Sequence, residues 1–199
     1  MTEPATPEVR LRAGDPAAAG DLFTAYRDRL KKMVRLRLDR RLQGRLDASD
    51  VLQEAFLDVQ RKAPDFAGKD MPAYLWLRLV VAERLIALHR HHLGAQMRDA
   101  GQEVSLCRGG LPAASTHSLA NLLLGRLTSP TQAAIRAERQ LRLQDALNQM
   151  DPLDREILAL RHFEELSNNE AAAVLDLSKT AASNRYIRAL KRLKEILAP

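Results

Sequence analysis

The stretch from Ser167 to Leu197 constrains the fold more than any other part of this 199-residue chain. Ser167 is followed three residues later by Glu170, a pair whose side chains can each satisfy an amide at the start of a helix. We therefore predict a short helix from about Asn168 to Leu175, because Asp176 then supplies a residue type that tolerates the left-handed backbone of a tight turn. A second helical pattern follows that turn, so the stretch predicts a helix-turn-helix.

The second helix of this motif is amphipathic and basic, and Ser178 can cap its start. Its apolar positions recur mostly three and four residues apart: Ala182, Tyr186, Ala189, Leu190, Leu193 and Leu197. The segment Lys179–Lys194 holds six basic residues and no acidic one. A small helix that is apolar inside and basic outside fits a DNA major groove. Terminal helices with a merely solvated basic face show the same pattern, so the motif alone leaves both interpretations open.

The composition favours a helical protein with an anionic partner. The chain is 46% hydrophobic but only 4% aromatic, and it has nine glycines. Its net charge of +6 makes nucleic acid the first candidate partner. The single cysteine cannot form an internal disulfide, and neither a leader pattern nor an apolar run of the ~20 residues that a span needs is visible. We therefore expect a cytoplasmic protein without membrane insertion.

The N-terminal half predicts a small helical domain over residues 17–99. Residues 1–16 lack a sustained period and predict a flexible lead-in. Apolar residues then repeat every four positions from Leu22 to Leu42 and predict one long helix with basic faces. Asp47–Asp50 opens an acidic helix, where the helix dipole favours acidic groups. After a loop, Ala73–His92 is predicted to be one helix that is apolar on most sides and ends in a basic tail.

Residues 100–130 are predicted to be a flexible linker, because they mix glycine, proline, serine and threonine with only a short apolar patch. Beyond the linker, Leu143–Met150 marks one helix, and Asp151 followed by Pro152 marks the start of the next. These helices lead into the helix-turn-helix and complete a four-helix domain over residues 131–199. The expected fold is therefore all-α, with two small helical domains joined by a linker.

Little in the sequence points to catalysis or to a cofactor. It contains no phosphate-binding loop, no nucleophile elbow and no acid pair in an apolar setting. His89 and His92 could share one face of a helix, but no second group of metal ligands accompanies them. We therefore expect a protein that is not an enzyme and that holds no metal or cofactor.

Two motifs in matching order and spacing resemble bacterial sigma factors. The segment Asp47–Phe56 resembles their polymerase-binding segment, and Asp151–Glu156 with the helix-turn-helix resembles their fourth region. The absence of a third-region domain between them is similar to the compact extracytoplasmic-function (ECF) type. The likeness covers residues 17–98 and 131–197. It implies a non-catalytic subunit that docks on core RNA polymerase, recognises two elements of promoter DNA and opens the DNA, with an anti-sigma factor as a further partner.

By position, the resemblance implies three sets of site residues. The polymerase-binding candidates are Asp47, Asp50, Gln53, Glu54 and Phe56. The candidates for the minus-ten element are Trp76, Arg78, Arg84, His89 and Arg90. The candidates for the minus-thirty-five element are Lys179, Ser183, Asn184, Arg185, Arg188, Lys191 and Arg192. In the last set, Asn184, Arg185 and Arg188 are expected nearest the base edges, and Lys191 and Arg192 nearest the phosphates.

Three positions leave details open. An unpaired base could stack on Trp76 beside the cations, but its apolar neighbours would equally suit a tryptophan in the core. Glu83 and Ala87 stand where the family commonly has asparagine and aspartate, so the bases recognised at the minus-ten element are not determined. Asp176 stands where glycine is usual, at a cost of about 1 kcal/mol at most.

A free-standing transcriptional regulator is the alternative function. Its N-terminal helices would form a sensor or dimerisation domain, and it would bind duplex DNA without polymerase. Such a protein would not need the basic helix followed by an acidic one between Arg27 and Asp58. The sigma-factor interpretation is therefore favoured.

Overall fold

The computed structural model of the protein describes residues 5–93, 106–107, 111–125 and 133–197. The chain divides into two compact units, Met1–Gln102 and Glu103–Pro199. The regular secondary structure of the described residues is helical, apart from a short antiparallel pair of strands, β1 (Leu106–Cys107) and β2 (Leu111–Pro112). The predicted all-α fold class is therefore confirmed. No helix in these described ranges combines the length and the apolar character needed to cross a membrane.

The first unit is built around one central helix. Its helices are α1 (Pro7–Arg12), α2 (Ala17–Ala25), α3 (Arg27–Arg37), α4 (Ala48–Lys62) and α5 (Ala73–Leu93), with a 3-10 turn at Ala63–Phe66. Helix α5 packs against α2, α3 and α4. Leu77 and Leu85 of α5 are completely buried, as are Leu30 of α3 and Val51 of α4. The neighbours on several sides explain why the sequence of α5 is apolar all round.

The start of the chain is more ordered than the flexible lead-in predicted for residues 1–16, and that prediction is wrong where the structure describes it. Helix α1 buries Leu11 completely. Arg12 donates a hydrogen bond to the carbonyl oxygen of Met71 at 2.7 Å, and its guanidinium lies 4.8 Å from the centre of the Phe66 ring. A helix of six residues with one buried side chain has no period to detect, so only its tertiary contacts reveal it.

The long helix predicted from Leu22 to Leu42 is divided in two and ends early. One non-helical residue separates α2 from α3, and Leu38 adopts an extended backbone after α3. The carboxylate of Asp39 accepts the backbone N–H of Arg41 at 2.8 Å, a local bond that competes with helix formation. Leu38 and Leu42 are buried all the same. The four-residue repeat therefore identified the buried side chains correctly except at Tyr26, which is half-buried, and it did not identify the end of the helix.

The described residues of the second unit form five helices. They are α6 (Thr116–Gly125), α7 (Ala133–Asn148), α8 (Pro152–Leu158), α9 (Asn168–Leu175) and α10 (Lys179–Leu197), and one π-helical turn, Ala159–Phe163, extends α8. Helix α10 packs against α7, α8 and α9. Its small residues Ala182 and Ala189 are completely buried, so the helix approaches its neighbours closely.

Part of the stretch that was expected to be a linker is helical. Helix α6 packs against α7 and buries Leu119, Ala120 and Leu124. Just before it, the backbone N–H of Ala114 donates to the buried carboxylate of Glu156 at 3.0 Å. This segment is therefore part of the second unit, and its apolar residues, rather than its serines and threonine, determine its structure. The remainder of residues 100–130, apart from the two short strands, lies outside the described residues.

The local signals of the helix-turn-helix are confirmed. Ser167 and Glu170 form a reciprocal capping box. The backbone N–H of Glu170 donates to the Ser167 hydroxyl at 3.2 Å, and the backbone N–H of Ser167 donates to the Glu170 carboxylate at 2.7 Å. Asp176 has the left-handed backbone that was predicted, with φ 53° and ψ 48°. The Ser178 hydroxyl accepts the N–H of Ala181 at 3.1 Å and caps α10. Each of these signals acts within four residues, which is why the sequence alone predicts them.

Candidate nucleic-acid interface

Helix α10 presents a polar and basic face opposite its buried stripe. The exposed side chains on this face are Asn184, Arg188, Lys191 and Arg192; at the start of the helix Lys179 is also exposed and Ser183 is half-buried. Two contacts hold the helix at a fixed angle. The side-chain amide of Asn168 at the start of α9 donates to the carbonyl oxygen of Lys179 at 2.8 Å. The guanidinium of Arg161 lies 5.1 Å from the centre of the Tyr186 ring.

Arg185 does not belong to this exposed face. Its side chain is only 21% exposed, and one guanidinium nitrogen donates to Asp154 at 2.6 Å and to Asp151 at 3.0 Å. Both carboxylates lie at the start of α8. Reaching a base edge would require Arg185 to break both charge-assisted bonds. In this structure Arg185 attaches α10 to α8 through these bonds, and its contact with a base stays a prediction.

Arg188, one turn further along, is arranged differently. Its side chain is 63% exposed, and its nearest carboxylate oxygen, on Asp154, is 3.5 Å away. The guanidinium therefore remains at the surface, where a planar group with several donors can form a bidentate contact with guanine. Arg188 therefore remains one of the residues that we predict to lie near base edges.

Ile187 is a surface residue that the sequence analysis did not single out. It is 61% exposed on α10, next to Arg188 and at helical spacing from Asn184 and Lys191. A large apolar side chain on a polar helix face can contact the methyl group of thymine. The residue type of Ile187 alone suggests a core position. Its position off the apolar stripe of α10 is the sequence feature that could have identified it as exposed.

The acidic face of α4 is the predicted polymerase-binding surface. Asp47 and Asp50 are exposed but occupied in a capping box, in which the N–H of Asp47 donates to Asp50 at 2.8 Å. The backbone N–H groups of Ser49 and Asp50 lower the pKa of Asp47. Gln53 is exposed and Glu54 is half-buried. The ring of Phe56 is half-buried and packs edge-on against Phe23, with ring centres 5.2 Å apart.

Trp76 lies in the core and not on a DNA-facing surface, so its expected role as a surface stacking platform is wrong. It is 1% exposed, and its ring centre is 5.1 Å from that of Phe66. The reason is the central position of α5, whose early turns are covered by neighbouring helices. The aromatic residue therefore contributes buried area to the fold.

The cations of α5 are also largely engaged. Arg78 is buried. The Nε of Arg84 donates to Asp58 at 2.6 Å, and a second guanidinium nitrogen lies 3.6 Å from Glu54. Among the predicted minus-ten residues, only Arg90 is exposed. The exposed basic surface of α5 therefore begins at its tail.

His89 is buried and acts as a hydrogen-bond acceptor. Its Nε2 accepts the backbone N–H of Asp39 at 3.4 Å. Burial lowers the pKa of His89, the carboxylate of Asp39 opposes that shift, and the guanidinium of Arg41 reinforces it. A histidine with a lowered pKa is mostly neutral near pH 7, so His89 is poorly suited to attract phosphate. In the part of the chain that the structure describes, no three potential metal ligands are grouped closely enough to hold an ion.

The geometry of the second unit defines a helix-turn-helix DNA-binding domain, and comparison with known proteins agrees. Residues 140–193 match the family described as sigma-70, region 4. The RNA polymerase sigma-H factor of Pseudomonas aeruginosa is 26% identical over 190 residues, which cover 96% of this chain and 91% of that protein. The ECF RNA polymerase sigma factor BldN of Streptomyces coelicolor is 24% identical over 190 residues, which cover 94% of this chain and 63% of BldN.

A solved structure has the same fold. The structure of CnrH in complex with the cytosolic domain of CnrY covers 96% of this chain and 94% of that chain, with a TM-score of 0.53 and 20% identity. Together these comparisons support a sigma factor of the sigma-70 family and of the ECF type. The sigma-factor interpretation is thereby favoured over the free-standing regulator.

Proposed function

We propose that the protein is a cytoplasmic, non-enzymatic promoter-specificity subunit of RNA polymerase. It binds the core enzyme, recognises the minus-thirty-five and minus-ten elements of promoter DNA, and promotes transcription initiation. The observation that carries this proposal is the exposed basic face of α10 within a helix-turn-helix, in a chain that resembles sigma factors over nearly its whole length. The family resemblance also suggests an anti-sigma factor as a partner that holds the protein inactive.

The minus-thirty-five element is assigned to α10. Asn184, Ile187 and Arg188 lie on one exposed face. We propose that they lie nearest the base edges. Lys191 and Arg192 lie nearer the C-terminal end and are placed near phosphates, which adds affinity without sequence preference. Lys179 and Ser183 flank the start of this surface.

The decisive test is transcription in vitro with core polymerase on a library of genomic fragments. We expect the protein to direct initiation from a small set of fragments that share two elements upstream of the start. Core polymerase alone is the control. Sequence-specific binding of the isolated protein to duplex DNA, without polymerase-dependent initiation from any fragment, would contradict the proposal and favour a regulator.

Core polymerase is proposed to bind the exposed face of α4. The double substitution Asp50→Lys/Glu54→Lys reverses two charges on that face and should weaken co-purification with the core enzyme. The matched control is Asp65→Lys/Asp70→Lys, which makes the same charge change at exposed positions after α4. Asp50 also belongs to the capping box, so the fluorescence of Trp76, the single tryptophan of the chain, reports whether the first unit is still folded. Equal binding by a folded test variant and the control would refute the assignment.

The minus-ten element is proposed to meet the tail of α5, where Arg90 is exposed. Arg90→Ala should reduce permanganate reactivity of promoter thymines in the assembled complex, because a cation beside the unpaired strand is lost. Arg35→Ala removes an exposed cation from α3 and is the control. Normal opening by the Arg90 variant would show that this tail does not hold the open strand.

A further inference from the structure

We propose that Asp154 is a positioning residue that orients Arg188 for base recognition. This inference rests on the proposed function of α10 and concerns how that helix achieves its sequence preference. Asp154 does not lie on α10 and is too buried to contact DNA directly, since its side chain is 10% exposed. It can therefore affect base preference only through the side chains that it holds.

The geometry consists of two carboxylates and two guanidinium groups. Arg185 donates to Asp154 at 2.6 Å and to Asp151 at 3.0 Å. Arg188 lies 3.5 Å from the same Oδ1 of Asp154 that Arg185 binds. Asp151 also accepts the N–H of Leu153 at 2.8 Å and so caps α8. The cluster therefore joins the start of α8 to two successive turns of α10.

Charge balance explains why the second arginine belongs to the cluster. Arg185 carries one positive charge and faces two carboxylates, that of Asp154, which is 10% exposed, and that of Asp151, which is 53% exposed. Arg185 alone would therefore leave one negative charge of the cluster uncompensated. A nearly buried carboxylate needs compensation by a nearby cation. Arg188 is placed to supply that charge from the outside, while most of its side chain remains exposed.

An arginine held in this way is better prepared to recognise a base. A bidentate contact with guanine requires one orientation of the planar guanidinium group. A long exposed side chain samples many rotamers and loses that freedom on binding. The attraction to Asp154 restricts Arg188 before DNA arrives, while Arg185 remains buried against α8. The two arginines therefore have separate roles: Arg185 positions the helix and Arg188 contacts the base.

The test measures base preference with the full-length protein in complex with core polymerase, on promoters whose minus-thirty-five element is randomised. Asp154→Asn keeps the size of the side chain and removes its charge. We expect the preference at a single base position to fall roughly 2- to 10-fold, which is part of the roughly 5- to 150-fold discrimination that a bidentate arginine contact supplies. Preferences at the other positions should stay unchanged. Asp154→Glu, which retains the charge, should largely restore the preference.

Asp151→Asn is the matched control. It makes the same change in net charge in the same cluster, and asparagine caps a helix as well as aspartate does. It removes a carboxylate from Arg185 but leaves the carboxylate nearest Arg188 in place. We therefore expect the base preferences of this variant to match those of the wild type.

A second comparison uses Arg188→Ala. If Asp154 acts through Arg188, adding Asp154→Asn to the Arg188→Ala variant should not change the preference at that base position any further. A further loss in the double variant would overturn the inference. An unchanged profile for folded Asp154→Asn, or an equal loss at every position, would overturn it as well.

One measurement requires no variant of Asp154. In the free wild-type protein, the guanidinium Nε–H of Arg188 should give an NMR signal with restricted motion, assigned by its disappearance in Arg188→Ala. A fully averaged signal would refute the inference even if Asp154→Asn does not fold. The proposed function fails separately, namely if the wild-type complex shows no base preference in the minus-thirty-five element.

Discussion

Helix α5 of the first unit and helix α10 of the second both carry basic residues beside an aromatic one, but they use them differently. Trp76 of α5 is buried, and Arg84 of the same helix is paired with carboxylates of α4. On α10 the buried apolar residues occupy one stripe, and Arg188 and Lys191 are exposed on the other side. A basic residue on a helix that is apolar all round has to be paired within the fold, whereas one opposite a single stripe remains available to a partner.

The largest expected effect concerns the buried tryptophan of α5. Trp76→Ala should destabilise the first unit by about 3 to 5 kcal/mol, because it leaves a cavity beside Phe66 in the core. Ile187→Ala on the exposed face of α10 should change stability by no more than about 0.5 kcal/mol. Thermal unfolding followed by circular dichroism compares the two variants. Similar unfolding temperatures would show that Trp76 does not support the core.

The next largest effect concerns the exposed basic residues of α10. Arg188→Ala should remove roughly 1 to 3 kcal/mol of discrimination at one base position, whereas Lys191→Ala should weaken binding to all sequences and lower the salt slope by about 1. Binding of polymerase complexes to matched and mismatched promoters at several salt concentrations separates these outcomes. Equal losses on every sequence for both variants would mean that α10 does not recognise bases.

A smaller effect tests whether local capping supports the helix-turn-helix. Ser167→Ala should destabilise α9 by about 1 kcal/mol, because it removes the acceptor for the N–H of Glu170. Thr180→Ala changes another exposed hydroxyl in the same motif and is the control. Hydrogen exchange of the α9 amides measures the difference. If the α9 amides exchange equally slowly in both variants, the Ser167 cap does not stabilise α9, and packing alone holds the helix.

The smallest effect is a pH dependence confined to the first unit. Because folding lowers the pKa of His89 below its ordinary value of 6.5, the unfolded chain binds more protons in this range. The stability contributed by neutral His89 is thus fully present above about pH 6.5 and is lost as the pH falls through the lowered pKa. The pKa of Asp39 is lowered mainly by its hydrogen bond from Arg41, so Asp39 changes the pH dependence of stability only in more acidic solution.

Urea unfolding followed by the fluorescence of Trp76 measures this dependence between pH 7 and pH 5. The wild-type protein should lose stability over that range, and His89→Gln should lose less. Glutamine retains an acceptor for the N–H of Asp39 and does not gain a proton. Identical pH profiles for the two proteins would show that His89 is not the titrating group.

The sequence by itself determined the features that depend on a few neighbouring residues. The capping box at Ser167, the left-handed turn at Asp176 and the helix start at Asp151 all formed as predicted, because each is satisfied by bonds within about four positions. The apolar stripe of α10 also separated its buried face from its exposed face, because helical spacing alone sorts the residues of an amphipathic helix. These signals sufficed for the all-α fold and for the helix-turn-helix.

The tertiary structure decided which candidate side chains are available. Trp76 and His89 suited a DNA contact by residue type, but both are buried in the fold. Arg185 and Arg188 lie only one turn apart on α10, and nothing in their local sequence separates them. The carboxylates of Asp151 and Asp154, more than thirty residues earlier in the chain, both accept hydrogen bonds from Arg185. Arg188 lies 3.5 Å from Asp154 and stays mostly exposed. Burial and pairing between residues distant in sequence depend on packing, which the spacing of residues along one helix does not contain.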